Sequence, residues 1–235
     1  MVAIVLLAAA AAVPASAEGI LDIYGGGINF LPTSILQNTD YCNGGGCSPG
    51  GLQWTELTNV HQLSGATGGI RIGSLTKTDH FSYGAAFNLQ AYGVKEQMYF
   101  ADNSPIRSFP GGTVLQPGGD VILGVPLRFI RLYGGAGLNI PIMFYNYQAY
   151  SASQNTMGPS VGTSATVGYD LFFGGRWLLT EHFNLFLEDR FSGIFMPIAV
   201  KDSVINNTGT GVTNGTLVIN SLSSNAIVGG IGFSW

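Results

Sequence analysis

The chain has 235 residues, of which 46% are hydrophobic and only 9% are charged. Soluble domains usually carry about 25% charged residues, so this composition argues against a cytosolic globular protein. Nine basic residues stand against thirteen acidic ones, for a net charge of −4, and we therefore expect no nucleic-acid partner. The hydrophobic content is also too high for a disordered chain.

The N-terminal segment reads as a secretory signal peptide. Residues Val2–Val13 are almost all Ala, Val, Leu and Ile, and Ala15-Ser16-Ala17 matches the small-residue pattern of a cleavage site. The apolar run is shorter than the roughly 20 residues that a transmembrane helix needs. We therefore predict cleavage after Ala17 and a single domain over residues 18–235.

The remainder of the chain contains eight segments in which apolar residues alternate with small or polar ones. This period of two residues is typical of a strand with two different faces. Each segment is about as long as the ~9–11 residues of a tilted transmembrane strand. In chain order the predicted strands are Ile20–Phe30, Gln62–Gly73, Phe81–Tyr92, Asp120–Phe129, Leu132–Phe144, Val161–Phe173, Phe183–Phe195 and Ile227–Trp235.

The connections between these strands alternate in length. Short turns at one end and long loops at the other are typical of outer-membrane barrels, whose short turns face the periplasm. The short connections are Gly73–His80, Phe129–Arg131 and Trp177–His182, and the long ones are Leu31–His61, Gly93–Gly119, Asn146–Ser160 and Met196–Leu222.

The two strand faces indicate which side meets lipid. The face of Gly, Ser, Asn and Thr carries too few charges to cover a protein exterior in water, and its small residues suit a narrow lumen. The apolar face is suited to contact with lipid, and the Phe and Tyr residues at its ends are typical of the aromatic girdles of a membrane barrel. Closure also leaves no unpaired strand edge in the lipid. We predict an all-β fold, an eight-stranded antiparallel transmembrane β-barrel with up-and-down meander topology, over a secreted lipocalin-like barrel or a β-sandwich.

Two stretches are more specific than the general pattern. Residues 174–182 lead into Phe186-Leu187-Glu188-Asp189-Arg190, and the chain ends Gly232-Phe233-Ser234-Trp235. With the strand pattern, they resemble the small eight-stranded outer-membrane barrels of the OmpA, OmpX and opacity-protein group, over nearly all of residues 18–235. The resemblance implies a location in the outer membrane of a Gram-negative bacterium, surrounded by outer-membrane lipid. It also implies that Phe233 and Trp235 form a C-terminal signal for the barrel-assembly machinery.

Charged residues fall on the predicted lumen face. Both signs are present, so they can pair across the lumen, and eight strands enclose little more than side chains. We therefore favour an interior plug over a charged gate or a solute path. Asp189 would instead face lipid, unless a bulge or an interfacial position relieves it. The predicted lumen residues are Asp22, Arg71, Asp120, Arg128, Asp170, Arg176, Glu188 and Arg190.

Cys42 and Cys47 are the two cysteines of the chain. In an exported protein an even number of cysteines suggests a disulfide, which here closes a small Gly-rich loop. A metal site is the alternative, but no histidine or further cysteine lies nearby in the sequence. We predict the disulfide, and we expect neither a metal ion nor a cofactor.

The functional alternatives require different properties of the lumen and of the loops. His80 and Ser82 resemble the His-x-Ser pair of the lipid A deacylase family, but they lie beside a short periplasmic turn, whereas that chemistry needs the outer leaflet. We therefore predict a non-enzymatic protein, an envelope scaffold or one whose long loops bind an extracellular partner. The alternatives are a narrow, OmpW-like channel for small solutes and, as the less favoured reading, a lipid A-modifying enzyme.

Overall fold

The computed structural model describes residues 17–43, 46–47, 54–62, 64–94, 97–99, 105–108, 112–151, 156–205 and 211–235. Residues 1–16 of the predicted signal peptide lie outside the described residues, and Ala17 is the first residue of the first strand. Within the described ranges no helix is long and apolar enough to cross a membrane.

Every described secondary-structure element is a strand. In chain order the strands are β1 (Ala17–Phe30), β2 (Thr33–Asn43), β3 (Gly46–Cys47), β4 (Trp54–Gln62), β5 (Gly65–Lys77), β6 (Ser82–Val94), β7 (Gln97–Tyr99), β8 (Pro105–Ser108), β9 (Gly112–Pro126), β10 (Ile130–Asn139), β11 (Ile142–Ser151), β12 (Thr156–Ala165), β13 (Gly168–Leu178), β14 (Phe183–Ile194), β15 (Ile198–Ile205), β16 (Gly211–Ile219) and β17 (Ser224–Ser234).

Eight of these strands close into a barrel in the order β1, β5, β6, β9, β10, β13, β14 and β17. Each pairs antiparallel with its neighbours, and β17 returns to pair with β1, so the barrel has no free edge. The predicted eight-stranded antiparallel up-and-down barrel is therefore confirmed. Closure satisfies the backbone donors and acceptors of every barrel strand on both sides.

Short turns join the barrel strands at one end, which we call the lower end. They span residues 78–81, 127–129 and 179–182. The two ends of the described chain also meet here. The backbone N–H of Gly19 donates to the carbonyl oxygen of Trp235 at 2.9 Å, and the N–H of Trp235 donates to the carbonyl oxygen of Gly19 at 3.2 Å. Both termini therefore lie at the end of the short turns.

The long connections at the opposite, upper end contain further strands. The strands β15, β16, β2, β4, β7 and β8 form a second sheet, while β11 and β12 extend the barrel wall above β9. The prediction of these connections as loops is wrong for the described parts, which form strands, because stretches rich in Gly, Ser, Asn and Thr usually indicate a loop.

Two predicted strands have wrong boundaries. The fourth was predicted as Asp120–Phe129, whereas β9 begins at Gly112 and ends at Pro126. Glycine-rich sequence usually indicates a loop, but Gly118 and Gly119 pair with both neighbouring strands in the ladder. The second predicted strand, Gln62–Gly73, is displaced in the opposite direction, because β5 begins at Gly65 and ends at Lys77.

Two other predicted strands are interrupted. Leu132–Phe144 divides into β10 and β11 around Ile140 and Pro141, because the proline has no N–H to give to the ladder. Val161–Phe173 divides into β12 and β13 at residues 166–167. The strands β10 and β13 thus border these interruptions, and the hairpin of β11 and β12 continues the wall above them.

The lumen is filled by an apolar cluster at each end and a charged layer between them. Along β1, Ile20 belongs to the lower cluster, Asp22 to the charged layer and Tyr24 to the upper cluster. The upper cluster continues out of the eight-stranded barrel into buried residues of the strands at the upper end. The lower cluster consists of Ile20, Leu75, Ala86, Ile122, Tyr133 and Phe172, and the members of the upper cluster in those upper strands include Met143, Tyr145, Ile198, Val200 and Ile219.

Candidate functional site

The candidate site is a layer of charged side chains that crosses the lumen. Its members come from β1, β5, β9, β13 and β14, at inward positions of uninterrupted ladders. Each side chain is at most 3% exposed, so water does not reach the layer. The structure brings together Asp22, Arg71, Asp120, Asp170, Arg176, Glu188 and Arg190.

Glu188 is the centre of this layer. Nη2 of Arg71 lies 2.8 Å from each of its carboxylate oxygens. Arg190, two residues along the same strand, donates from Nε to Oε1 at 3.1 Å. The hydroxyl of Tyr133 donates to Oε2 at 3.0 Å. The carboxylate therefore accepts charge-assisted hydrogen bonds from two guanidinium groups at once.

A second carboxylate, Asp22, joins two arginines on one side of the lumen. Arg176 binds it in a two-pronged geometry, with Nη1 at 3.0 Å from Oδ1 and Nη2 at 2.7 Å from Oδ2. Nη1 of Arg71 lies 3.5 Å from Oδ2 of the same carboxylate. Arg71 and Asp22 are also direct register partners on β5 and β1. The parallel geometry of Arg176 and Asp22 is the most specific form of such a pair.

The remaining two carboxylates surround Arg190 and Arg71. Nη2 of Arg190 lies 3.3 Å from Oδ2 of Asp120, and Nε of Arg71 lies 3.4 Å from the same oxygen. Nη1 of Arg190 lies 3.5 Å from Oδ2 of Asp170. The network is therefore continuous from Arg176 to Asp170, across the whole lumen.

Neutral side chains support the layer from above and below. Gln116 donates to Oδ1 of Asp170 at 3.1 Å, and Ser192 donates to the same oxygen. The guanidinium carbons of Arg71 and Arg190 lie 4.9 and 5.0 Å from the ring centroid of Phe172. Buried guanidinium groups gain from such aromatic faces when no water competes.

Arg131 is a buried arginine that the sequence reasoning missed. It was assigned to a short turn, whereas it is the second residue of β10 and faces the lumen. With it, four buried guanidinium groups balance the four buried carboxylates. A charge in a dry interior is tolerated only when it is compensated, and each of the seven charges of the layer itself has an opposite charge within 3.5 Å.

The prediction of Arg128 as a lumen residue is wrong. The strand β9 ends at Pro126, so the alternation that placed Arg128 inward stops before it. The residue is exposed in the lower turn, where its guanidinium carbon lies 5.0 Å from the ring centroid of Phe129. It makes no contact with the charged layer among the described residues.

The outer surface of the barrel has the opposite character. Along the middle of the strands its exposed side chains are aliphatic, apart from Phe173, and at the strand ends they include aromatic residues, as lipid and its two interfaces require. The chain is an eight-stranded outer-membrane β-barrel. The aliphatic belt includes Ile23, Ile70, Ile72, Val121, Leu123, Leu138, Leu171, Leu187 and Ile227, and the aromatic ends include Phe81, Phe129, Trp177, Phe233 and Trp235 below and Phe144 and Phe195 above.

The barrel is similar to several solved structures. The outer membrane protein OprG from Pseudomonas aeruginosa is 14% identical, with a TM-score of 0.46, over 94% of this chain and 96% of that one. Neisserial surface protein A is 13% identical, with a TM-score of 0.48, over 93% and 99%. The outer membrane protease OmpT from Escherichia coli is 8% identical, with a TM-score of 0.40, over 93% and 97%.

Sequence identities this low support a similarity of fold and nothing more. No protein family matches the sequence, and no curated protein matches it. The assignment as an outer-membrane barrel therefore rests on the strand pairing and on the apolar outer surface of this chain.

The histidines of the barrel lie away from the lumen. His80 is exposed in the first lower turn, while Ser82 points into the lumen and is 2% exposed. His182 lies in the third lower turn, with Nδ1 at 2.9 Å from the carbonyl oxygen of Ser234. The side chain of His61 lies outside the described residues. In the part of the chain that the structure describes, no histidine is hydrogen-bonded to a serine side chain, and no group of three or more His, Cys, Asp or Glu could hold a metal ion.

The structure locates two further predicted sites, the cysteine pair and the aromatic residues at the C-terminus. Cys42 and Cys47 are register partners in the pair of β2 and β3, and directly opposite residues of antiparallel strands are about 4.5–5.5 Å apart at Cα, within the range of a disulfide. Their side chains lie outside the described residues, and the disulfide stays a prediction. Phe233 and Trp235 are exposed at the lower rim, where the assembly signal likewise stays a prediction.

Proposed function

We propose that this outer-membrane barrel does not conduct solutes and serves as an envelope scaffold that presents its extracellular hairpins for surface interactions. The observation that supports the proposal is the closure of the lumen by the charged layer. Arg71 and Arg190, two of its three arginines, are 0% exposed. A barrel of eight strands has little interior space beyond its own side chains, so a filled cross-section leaves no path for an ion.

The upper apolar cluster adds a second closure. Ile198, Val200 and Ile219 are each 1% exposed although they lie in extracellular strands. A hydrated ion that entered from outside would have to displace this packed cluster before it reached the charged layer. It would then have to separate ion pairs such as Arg71 and Glu188. Separation is costly in free energy because no water is present to hydrate the two charges.

The extracellular part supports a role in display. The hairpins β2–β4 and β15–β16 pair with each other in one sheet above the membrane. Segments held on a rigid scaffold are the usual location of binding residues in barrels. The alternative of a lipid A-modifying enzyme has less support, because His80 and His182 both lie at the lower end, away from the outer leaflet.

Conductance in a planar lipid bilayer tests the proposal. The refolded protein is first shown to be folded by its heat-dependent mobility on a gel, and is then reconstituted beside Glu188→Gln and Arg190→Gln variants. We expect no discrete current steps from the wild-type protein. Reproducible steps in the wild type whose size changes in either variant would establish the narrow channel instead, with the charged layer as its gate.

A further inference from the structure

Asp189 is the one charged residue at an outward position of the eight barrel strands. It is exposed on the outer surface, between the inward Glu188 and Arg190 of the same strand. The other charged residues of these strands occupy inward positions: Glu18, Asp22, Arg71, Lys77, Asp120, Arg131, Asp170, Arg176, Glu188 and Arg190.

No irregularity of the strand removes Asp189 from the lipid. Its register partners are Phe173 and Ile227, and both ladders run without a shift through this position. These two side chains are 63% and 60% exposed, so they mark the apolar belt on either side. The bulge that would have turned the carboxylate away is absent from the described β13, β14 and β17.

The depth of Asp189 places it well inside the belt. It lies six residues after Phe183, the first residue of β14. At ~3.3 Å per residue and a tilt of about 40°, this corresponds to roughly 15 Å above the lower rim. The apolar band of such barrels is about 25 Å tall, so Asp189 lies near its middle, beyond the reach of lipid headgroups.

The barrel itself gives Asp189 no partner. Among the described residues, none makes a hydrogen bond or an ion pair with its carboxylate. Its neighbour Glu188, in contrast, binds two arginines. An ionisable group at this depth is costly in free energy, and such groups mark functional contacts.

A recess lined by glycine lies beside Asp189 on the same wall. A Cβ added at Gly25 or Gly229 would come no closer than 3.6 or 3.7 Å to any other atom, and one added at Gly27 would meet nothing within 4 Å. Gly27 is paired with Ile227, the register partner of Asp189. Glycine weakens a strand, and packing within this barrel does not require it at these outward positions.

The inward glycines show the contrast. A Cβ at Gly26 would lie 2.8 Å from the Cα of Val228, and one at Gly230 would lie 2.7 Å from the ring of Phe186. Close packing inside the barrel therefore explains those glycines. The outward glycines instead leave room for an atom group that approaches from the membrane.

We propose that Asp189, with the recess of Gly25, Gly27 and Gly229, is a docking site for a membrane-embedded segment of another protein that presents a lysine or arginine side chain at this depth. Charge complementarity selects this occupant, because a cation is what the unpaired carboxylate lacks. A second copy of this chain does not supply it, since its barrel strands carry no outward basic residue in the belt. The recess lets the backbone of the partner come close, as small residues do in membrane interfaces.

A defined peptide probe tests the proposal. The labelled full-length barrel is reconstituted in phosphatidylcholine vesicles with a synthetic Leu/Ala transmembrane helix that carries one central lysine, and association is followed by energy transfer. The matched probe has methionine in place of the lysine. We expect the lysine helix to associate about tenfold more tightly than the methionine helix, the size of a good polar contact in a membrane.

Variants separate the charge from the recess. Asp189→Asn should abolish the preference for lysine. Moving the charge with Asp189→Asn/Val121→Asp should not restore it, because Val121 is also exposed but lies on β9, three strands away from β14 around the barrel. Gly229→Leu should weaken the binding of both helices. All the substituted positions face lipid, and the correct folding of each variant is checked by its heat-dependent mobility on a gel.

Two results overturn the proposal. The first is an equal affinity of the wild-type barrel for the lysine and methionine helices. The second is self-association of labelled barrels in the same vesicles that Asp189→Asn abolishes, which would make a second copy the occupant. Neither result depends on the conductance of the lumen, so the site and the proposed scaffold role stand or fall separately.

Discussion

Arg71 and Glu188 meet across the lumen, with Nη2 of the arginine 2.8 Å from both carboxylate oxygens. Their strands β5 and β14 are separated in the barrel by β1 and β17, and the two residues are 117 positions apart in the chain. The pair therefore forms only when distant parts of the chain have closed into the barrel. Once formed, it ties together walls that share no backbone hydrogen bond.

The first prediction concerns the free energy of unfolding. Glu188→Gln removes the negative charge that Arg71 and Arg190 share, and leaves an uncompensated positive charge in a dry interior. We expect a loss of about 3–5 kcal/mol, the usual effect of breaking a buried ion pair from one side. The midpoint of heat- or urea-induced unfolding in detergent, followed on a semi-native gel, measures it.

The adjacent residue supplies the control for this experiment. Asp189→Asn is the same kind of change one position along β14, but its side chain points to the outside. It should leave the unfolding midpoint unchanged or raise it, because it removes a charge from the apolar belt. Equal midpoints for the wild type and Glu188→Gln would contradict the interior plug.

The second prediction compares two neighbouring glycines of β13. An added Cβ at Gly174 would overlap the carbonyl oxygen of Leu187 and lie 3.1 Å from the ring of Tyr133, whereas one at Gly175 comes no closer than 3.8 Å to any atom. Gly174→Ala should therefore destabilise the barrel by about 1–3 kcal/mol through overpacking. Gly175→Ala should be neutral in the same unfolding assay, and a comparable loss in both would refute the assigned faces.

The third prediction concerns the extracellular wall between β11 and β15. The hydroxyl of Tyr145 accepts a hydrogen bond from the backbone N–H of Lys201 at 3.1 Å, and its ring crosses over Gly162. Tyr145→Phe removes this acceptor, at a cost of about 1 kcal/mol. We expect faster hydrogen exchange at the Lys201 amide, while the amides of the barrel strands keep their protection.

A glycine pair in β12 provides the matched test of the same contact. A Cβ added at Gly162 would meet the ring of Tyr145, with its hydroxyl oxygen at 2.6 Å, whereas a Cβ at Gly158 meets nothing within 4 Å. Gly162→Ala should accelerate exchange at Lys201 as Tyr145→Phe does. Gly158→Ala should have no effect, and acceleration by both alanine variants would show that the Tyr145 contact is not the cause.

The fourth prediction concerns Cys42 and Cys47. Their register pairing on β2 and β3 brings the two backbones together, so we expect an oxidised pair in the exported protein. Mass spectrometry after alkylation without reductant should find no modified cysteine. Because the pair lies outside the barrel, the double variant Cys42→Ser/Cys47→Ser should keep the unfolding midpoint of the wild type. Quantitative alkylation of the unreduced protein would disprove the disulfide.

The fifth prediction concerns orientation in the membrane. The short turns and both described chain ends lie at the lower end, which faces the periplasm in barrels of this type. An epitope tag inserted after Ile205 should bind antibody on intact cells. A tag inserted after Thr180 should bind only after the outer membrane is permeabilised, and the reverse pattern would invert the assignment of the two ends.

Sequence alternation located the barrel strands but not all of their ends. The face of a residue follows from a period of two, and Phe173, Leu187 and Ile227 lie outward as the period requires. Strand ends depend instead on which backbone groups find partners. Gly118 and Gly119 look like a loop but pair on both sides, and Arg128 looks inward but follows the last residue of β9.

The extracellular hairpins could not be predicted in the same way. Their sequence is rich in Gly, Ser, Asn and Thr, and residues such as Gln37 and Thr55 become partners only through the register of β2 and β4. Arg131 escaped notice for a related reason. Its inward position depends on where β10 begins, and a turn of three residues leaves that start ambiguous in the sequence.

Local properties of the sequence are enough to identify this chain as a transmembrane β-barrel, because lipid and a closed sheet impose alternation, low charge and connections of unequal length. Which charges pair with each other follows only from the folded barrel. The pairing of Arg71 with Glu188, the sharing of Asp22 by two arginines and the isolation of Asp189 in the apolar belt depend on contacts between strands far apart in the chain. Such contacts arise when closure brings strands from distant positions to one depth, and a period of two residues carries no information about which of them do.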